Sequence, residues 1–224
     1  MAQRGNPLNF TGVAREKVIP IYIAQTEHQY KYKMNQKYQV ICADPPWTYQ
    51  PWSTKEVQGN RVVSCHYGTM SLPDIKALPV ADYADKNCAL FLWVTDPLLQ
   101  EGLDVIQSWG FSFKTVGFTW VKKTKFNKFF TGLGYWTRGN SEMCLLATKG
   151  KPPRKSKSVK RLVVSPRREH SRKPDEIYRD YIPALVDGPY LELFARTQRP
   201  GWDIAFSNQA QKFVPPEDEF ISFT

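Results

Sequence analysis

Short, nearly continuous apolar runs recur along this chain, separated by polar stretches with helix or loop character. A strand is predicted over Tyr38 to Ala43, ending in Val40-Ile41-Cys42-Ala43, and Cys88-Ala89-Leu90-Phe91-Leu92-Trp93-Val94 is the longest such run. A run apolar at every position, rather than at alternate ones, predicts a central strand covered on both faces. Further strands are expected over Thr115 to Val121, Glu142 to Thr148, Tyr190 to Phe194 and Asp203 to Phe206, with Leu162-Val163-Val164 as a short one. Ser71 followed by Asp74 reads as the start of a short helix ending near Leu78-Pro79. Asp96-Pro97 supplies an N-cap and a first-turn proline for a helix to Trp109, with Leu99, Leu103 and Ile106 on one stripe and Gly110 as terminator. Pro174-Asp175-Glu176 opens another helix, whose stripe is Ile177, Tyr181 and Leu185 and which Pro183 should kink or end. Strands alternating with helices predict one α/β domain, a mostly parallel sheet with helices on both faces. It should span 36–212, between an N-terminal arm (1–35) and a frayed tail (213–224).

The first strand stops abruptly at Asp44-Pro45-Pro46-Trp47. Two prolines cannot donate to a ladder and fix their own backbone angles, so the chain leaves the sheet in a rigid extended turn. The turn sets an acid and a large ring at the carboxyl end of a strand, where open α/β sheets bind ligands. A carboxylate, stiff carbonyls with no competing amide hydrogens and a flat ring suit the exocyclic amine of a planar base. The other reading is a plain loop capping a strand, with Trp47 folded into the core. The long loop from Thr48 to His66, with Tyr49, Trp52 and Gly59, has the length of a lid or binding loop.

The 224 residues carry a net charge of +10, unevenly spread. Lys151 to Lys173 holds ten Lys or Arg, among them Arg154, Lys155, Arg167 and Arg168, against the single acid Glu169. A basic stripe on a near-neutral body is the footprint of a polyanion binder, here a nucleic acid; the alternative is a solvated loop. Lys122, Lys123 and Lys125 lead into a second stretch with Phe129, Phe130, Gly132, Gly134, Tyr135 and Trp136, where cations could meet phosphates and rings could stack on bases. The alternative is an ordinary loop with its rings tucked inward. The four cysteines are widely spaced and the three histidines do not cluster with them, so neither a metal site nor a disulfide framework is expected. Cys42, Cys88 and Cys144 read as reduced core residues. No apolar run is long enough to span a membrane and the start lacks a signal peptide's core; with reduced cysteines, a cytoplasmic protein is expected. No G-x-G-x-x-G or Walker-type phosphate loop is present, which argues against dinucleotide oxidoreductases and phosphate-loop enzymes.

Eight phrases then fall in a familiar order: Ala-Asp-Pro-Pro-Trp (43–47), Tyr-Gly-Thr-Met (67–70), Phe-Leu-Trp-Val-Thr (91–95), Trp-Val-Lys (120–122), Glu142 with Met-Cys-Leu and then Lys-Gly (149–150), Lys-Pro-Asp-Glu-Ile-Tyr (173–178), Glu-Leu-Phe-Ala-Arg (192–196) and Asn-Gln (208–209). Over about 40 to 209 the chain resembles the DPPW-type, MT-A-like adenine-N6 methyltransferases, the family of the messenger-RNA adenosine methyltransferase's catalytic subunit. The resemblance implies a permuted, Rossmann-like S-adenosylmethionine-dependent fold with the catalytic motif ahead of the main cofactor elements. It implies Asp44, Pro45, Pro46 and Trp47 as catalytic. Asp44, Lys173, Arg196, Gln198, Asn208 and Gln209 would hold the cofactor, Lys173 facing its methionine carboxylate. Tyr49, Glu142, Arg154, Lys155, Arg167, Arg168 and the 122–136 residues Lys122, Lys123, Lys125, Tyr135 and Trp136 would meet substrate. After Arg196 the pattern breaks, with Gln198 and Arg199 where the messenger-RNA enzymes have His and Asn. The small size resembles stand-alone prokaryotic or phage enzymes, so a monomer or homodimer acting on DNA is expected, with RNA as the alternative polymer. A non-catalytic binding relative would be expected to lose the acid or prolines, and all four residues are present.

Overall fold

In the computed structural model of the chain, the residues described are 36–48, 69–134, 136–168 and 172–207, all within one unit, Met34–Thr224. The expected arm and tail, the 49–68 loop, Tyr135, Asn208 and Gln209 lie outside them.

The seven strands are β1 (Tyr38–Ala43), β2 (Ala84–Val94), β3 (Ser112–Lys123), β4 (Ser141–Lys149), β5 (Leu162–Pro166), β6 (Tyr190–Leu193) and β7 (Trp202–Ala205). They form one sheet in the order β5-β3-β4-β2-β1-β6-β7. Four of the six pairings are parallel, and β4 runs antiparallel to both neighbours, β2 and β3. This is the expected mixed, mostly parallel Rossmann-like sheet. β2 begins four residues before the apolar run, and β3 extends past both expected ends into polar residues. At the ends of β3 the ladder, rather than side-chain burial, holds the chain extended.

Side-chain alternation sorts the core onto the two faces. Ile41 and Ala43 of β1 face one cluster with Leu90, Leu92, Val94 and Leu145, covered by helices α1 (Leu72–Lys76), α2 (Val80–Tyr83) and α3 (Leu99–Ser108) through Ile75, Val80, Val105 and Ile106. Val40 and Cys42 face the other with Phe91, Trp93, Phe118, Trp120 and Cys144, covered by Ile177, Tyr178 and Ile182. Cys42, Cys88 and Cys144 are free and buried, and burial pushes the Cys88 thiol up to about 12.

Two helix readings are corrected. Asp96 does not cap α3: Asp96–Leu98 is a 3₁₀ turn entered from Thr95, and Leu99 is left exposed while Gly102, Val105 and Ile106 make the buried stripe. Gly102 belongs to that stripe because a Cβ there would press on Val94. The helix after Pro174 contains a π turn, Ile177–Tyr181, before α4 (Ile182–Leu185). Pro183 has no N–H for the carbonyl four residues back and its ring crowds that carbonyl; a wider turn just before it relieves both. The wider period carries Ile182 rather than Tyr181 inward after Ile177, so the spacing of the α-helical stripe fails.

At the end of β4, Gly150 has φ +63° and a Cβ there would collide with the Lys86 carbonyl. Gly150→Ala should destabilise the fold by roughly 1–3 kcal/mol. A thermal melt unchanged from wild type would refute this account of the turn.

Candidate functional site

The parallel strands β1, β2, β6 and β7 bring their carboxyl ends to one edge of the sheet, and the antiparallel β4 brings its amino end there. Asp44 follows β1 directly. Glu142, second in β4, lies on the Cys144 face, and Lys122 near the end of β3 lies on the Trp120 face, which is the same one. Lys173 enters from the segment that leads into the π turn across that face. Its Nζ donates to Asp44 Oδ2 at 2.8 Å and lies 3.1 Å from Glu142 Oε2. Glu142 Oε1 accepts from Lys122 Nζ at 2.5 Å, completing an alternating Lys–Glu–Lys–Asp row.

Only 6% of the Lys173 side chain is exposed. Burial opposes its charge, yet Asp44 and Glu142 outweigh that and hold the ammonium above the ordinary lysine value of 10.5. Burial likewise resists ionisation of Glu142, but Lys173 and Lys122 hold its carboxyl below the ordinary 4.5. The ammonium also lies 5.4 Å from the centre of the Trp93 ring. Two ammoniums and two carboxylates leave the row neutral, the condition under which buried charge is tolerated.

The Asp-Pro-Pro-Trp turn is tied down at several points. Trp47 N–H donates to the Pro45 carbonyl at 2.8 Å, and Met70 N–H donates to the Pro46 carbonyl at 2.9 Å. Trp47 pairs with Met70 in a single β-bridge, and its indole N–H donates to the Trp93 carbonyl at 3.2 Å. The expectation of carbonyls without competing amide hydrogens is thereby corrected: both proline carbonyls already accept one. Pro45 is buried and Trp47 half-buried against the core, so the rigid corner and the folded-in ring coexist.

The expected substrate residues separate into two groups. Arg167 and Arg168 follow β5 at the Asp44 end, where they line an open cleft with Trp120, Lys122, Phe130 and Glu142. Lys123 ends β3, and Lys125 and Trp136 belong to the loop beyond it at that same end. Residues 151–161 instead lead into the start of β5, at the opposite end of the sheet. Lys155 is fastened there, its Nζ donating to the Pro183 carbonyl at 3.1 Å and pairing with Asp187 at 2.6 Å. The basic stripe that looks continuous in sequence is thus divided, and Arg154 and Lys155 lie away from the site.

Among the expected cofactor residues, Asp44 and Lys173 are brought together. Gln198, an exposed residue, donates to the Trp202 carbonyl at 3.0 Å; Arg196 lies just beyond β6. Sequence reasoning missed Glu192 and Asp175. Glu192 stands opposite Cys42 in the ladder and is buried. Burial, opposed by the Arg199 guanidinium and aided by the Asp44 charge, pushes its carboxyl up to about 7. Arg199 lies 3.4 Å from Glu192, 3.7 Å from Asp175 and 4.1 Å from the centre of the Tyr178 ring. Asp175 also accepts from Arg168 at 2.6 Å and Arg172 at 2.8 Å. A carboxylate at a helix start reads as a dipole partner in sequence; Arg172 is a local i,i+3 partner, but nothing local announces the guanidinium of Arg199.

Because Glu142 is held below its ordinary value, its stabilising contribution is full above about pH 4.5 and is lost as pH falls through the depressed value. That of Lys173 is full below about pH 10.5 and lost as pH rises through the raised value. Lys173→Met, which strands Asp44, should therefore cost about 3–5 kcal/mol near neutrality, with the deficit shrinking toward acid pH. Glu142→Gln should flatten the acid limb of the melting profile. Parallel pH profiles for wild type and both variants would overturn the assignment of this row as the stabilising contact.

Residues 38–205 match the MT-A70 family. The chain is 32% identical over 182 residues to the type II methyltransferase M.MunI of Mycoplasma sp, covering 75% of this chain and 76% of that protein. It is 33% identical over 189 residues to the N(6)-adenosine-methyltransferase MT-A70-like protein of Drosophila melanogaster, covering 81% of this chain and 28% of that one. With the human N(6)-adenosine-methyltransferase catalytic subunit METTL3 it shares 31% over 179 residues, 77% of this chain and 28% of that protein. It therefore spans about three quarters of the first relative and little more than a quarter of the other two.

Proposed function

This chain belongs to the MT-A70 family, and on that premise we propose that it transfers a methyl group from S-adenosylmethionine to the exocyclic N6 amine of adenine in a polynucleotide. The observation that carries the reading is the Asp44 carboxylate, set at a strand end by a buried ammonium 2.8 Å away and beside a half-buried indole. DNA is the favoured polymer, because the relative matched over most of its own length is a type II methyltransferase. RNA is the second reading, supported by the adenosine methyltransferases that match at similar identity.

The donor set suits the cofactor. One ammonium and one carboxylate 2.8 Å apart complement the carboxylate and amine of an amino-acid end, so Lys173 and Asp44 are the residues to hold it. Arg196 and Gln198, with Asn208 and Gln209 beyond the described residues, are the side chains that would meet its ribose and adenine ends. When bound, S-adenosylmethionine supplies a methyl group on a positively charged sulfur.

The amine of adenine is a poor nucleophile because its lone pair is delocalised into the ring. Asp44 accepts one of its hydrogens and the second lone pair of the Pro45 carbonyl accepts the other, which draws the nitrogen toward a tetrahedral shape. Trp47, fixed by its bond to Trp93, presents its ring to the base, and Tyr49 could add a second. The work of these groups is orientation and charge placement, with no covalent intermediate. In a duplex the adenine is first turned out of the stack at a cost of a few kcal/mol. Lys122, Arg167 and Arg168 at the adjoining cleft are the cations for the neighbouring phosphates.

Transfer of labelled methyl groups to duplex DNA, single-stranded DNA and RNA in parallel tests both the reaction and the polymer. Asp44→Asn keeps the shape of the side chain and should lower transfer by at least about 100-fold, while donor binding measured by calorimetry falls far less. Near-normal transfer by that variant would sink the role given to Asp44.

A further inference from the structure

Between β3 and β4 the chain holds large apolar side chains out in solvent on a framework fixed by its own hydrogen bonds. In a first turn Lys123 and Phe129 form a β-bridge, Thr124 N–H donates to the Lys128 carbonyl at 2.8 Å, and Asn127 takes φ +61° to close the bend. Lys123 Nζ donates to Asn127 Oδ1 at 2.8 Å across it. A second turn is closed by Gly132 N–H on the Gly139 carbonyl at 2.8 Å. Gly132 and Gly134 are required there, since a Cβ on either would collide with the carbonyl of Gly139 or Thr137. Phe126 is 73% exposed on the first turn and Phe129 66% at its base; on the second, Leu133 is 92% and Trp136 91% exposed. Ordered exposure of that much apolar surface marks an interaction site.

The chemistry around the rings identifies the partner. Residues 122–140 contain Lys122, Lys123, Lys125, Lys128 and Arg138 and no acid. Lys125 lies 5.1 Å from the centre of the Phe126 ring, Lys123 lies 5.6 Å from that of Phe129, and Arg167 lies 4.4 Å from that of Phe130. A second copy docking through this loop would set five cations against five. A polynucleotide offers phosphates to the cations and base faces to the rings. The loop leaves next to Lys122 and returns next to Glu142, both members of the row that holds Asp44.

We propose that these two turns are a stacking wedge for unpaired bases flanking the methylated adenine, so that a locally opened strand binds better than a closed duplex. This inference rests on the polynucleotide reading above and adds which form of the polymer the chain prefers. Paired bases in a closed helix hide their faces in the stack; an opened strand exposes them to Phe126 and Trp136.

The test uses the full chain with oligonucleotides carrying 2-aminopurine, as single strands, as duplexes with a bulge, and as perfect duplexes. Wild type should bind the first two more tightly and quench their fluorescence by stacking. Trp136→Ala and Phe126→Ala should each weaken that binding by about 5- to 150-fold and reduce the quench, with Trp136→Tyr restoring most of it. Neither should change the slope of log affinity against log salt, whereas Lys125→Ala should reduce it by about 0.7 on single strands. Binding and quenching by both aromatic variants within about twofold of wild type would overturn the wedge. So would sedimentation in which Trp136→Ala merely converts a dimer to a monomer, which would make the loop a contact between copies. If no polymer is methylated but the aromatic variants still lose binding, the wedge stands and the methyltransferase reading falls. If methylation proceeds and the variants bind as wild type, the wedge falls alone.

Discussion

The ammonium of Lys173 is almost wholly out of water, and the geometry of the functional end follows from how that charge is answered. An isolated buried cation is not tolerated, so the protein must bring carboxylates to it. It brings two, from strands that are not neighbours: Asp44 beyond β1 and Glu142 in β4, with β2 between them. The requirement acts in both directions. Asp44 is held in one orientation because its oxygen is claimed by Lys173, and the segment that carries Lys173 is held across the sheet by the carboxylates that answer its charge. Lys122 extends the row to the cleft beside β5, so the acid at the centre is linked by continuous ion pairs to the surface where a polyanion would lie.

That arrangement needs the single reversal in the sheet. With β4 parallel to β2, its first residues would emerge at the far end, where Lys149 now lies, and Glu142 would be a strand length from Asp44. The antiparallel β3–β4 pair also turns the 124–140 loop toward the Asp44 end. One topological choice therefore places the second carboxylate, the second ammonium and the basic aromatic loop together. The residues that a sequence reader groups by proximity, 151–173, are divided by the same sheet, because β5 runs its full length between the early cations and Arg167.

What could be read from the sequence follows how locally each feature is encoded. The strands and their covered faces were legible, since β1 and β2 are apolar at nearly every position and burial on both faces demands that. The Asp-Pro-Pro-Trp corner was legible as a rigid chain exit because prolines act on their own backbone. The pairing of Lys173 with Glu142 was not, because it depends on the direction of β4, and nothing in Glu142 to Thr148 states a direction. The stripe after Ile177 failed for a different reason. A π turn changes the period mid-helix, so a constant-period reading finds Tyr181 and Leu185, which pack at the edge of the core, and misses the fully buried Tyr178 and Ile182. Asn208, Gln209 and Tyr49 rest on resemblance alone, outside the described residues.

Beyond Arg196, Arg199 lies over the Tyr178 ring with Glu192 and Asp175 within 4 Å, and only 12% of its side chain is exposed. Asp175 is two residues from Lys173, and Glu192 is paired in the ladder with Cys42, two residues from Asp44. The Arg199 guanidinium, ion-paired with both carboxylates, links the segment behind Lys173 to the strand beside Asp44. Glu192, whose burial alone would favour the neutral acid, has in Arg199 the nearby cation that opposes this. Arg199 thus spans two elements directly behind the pair on which the site depends.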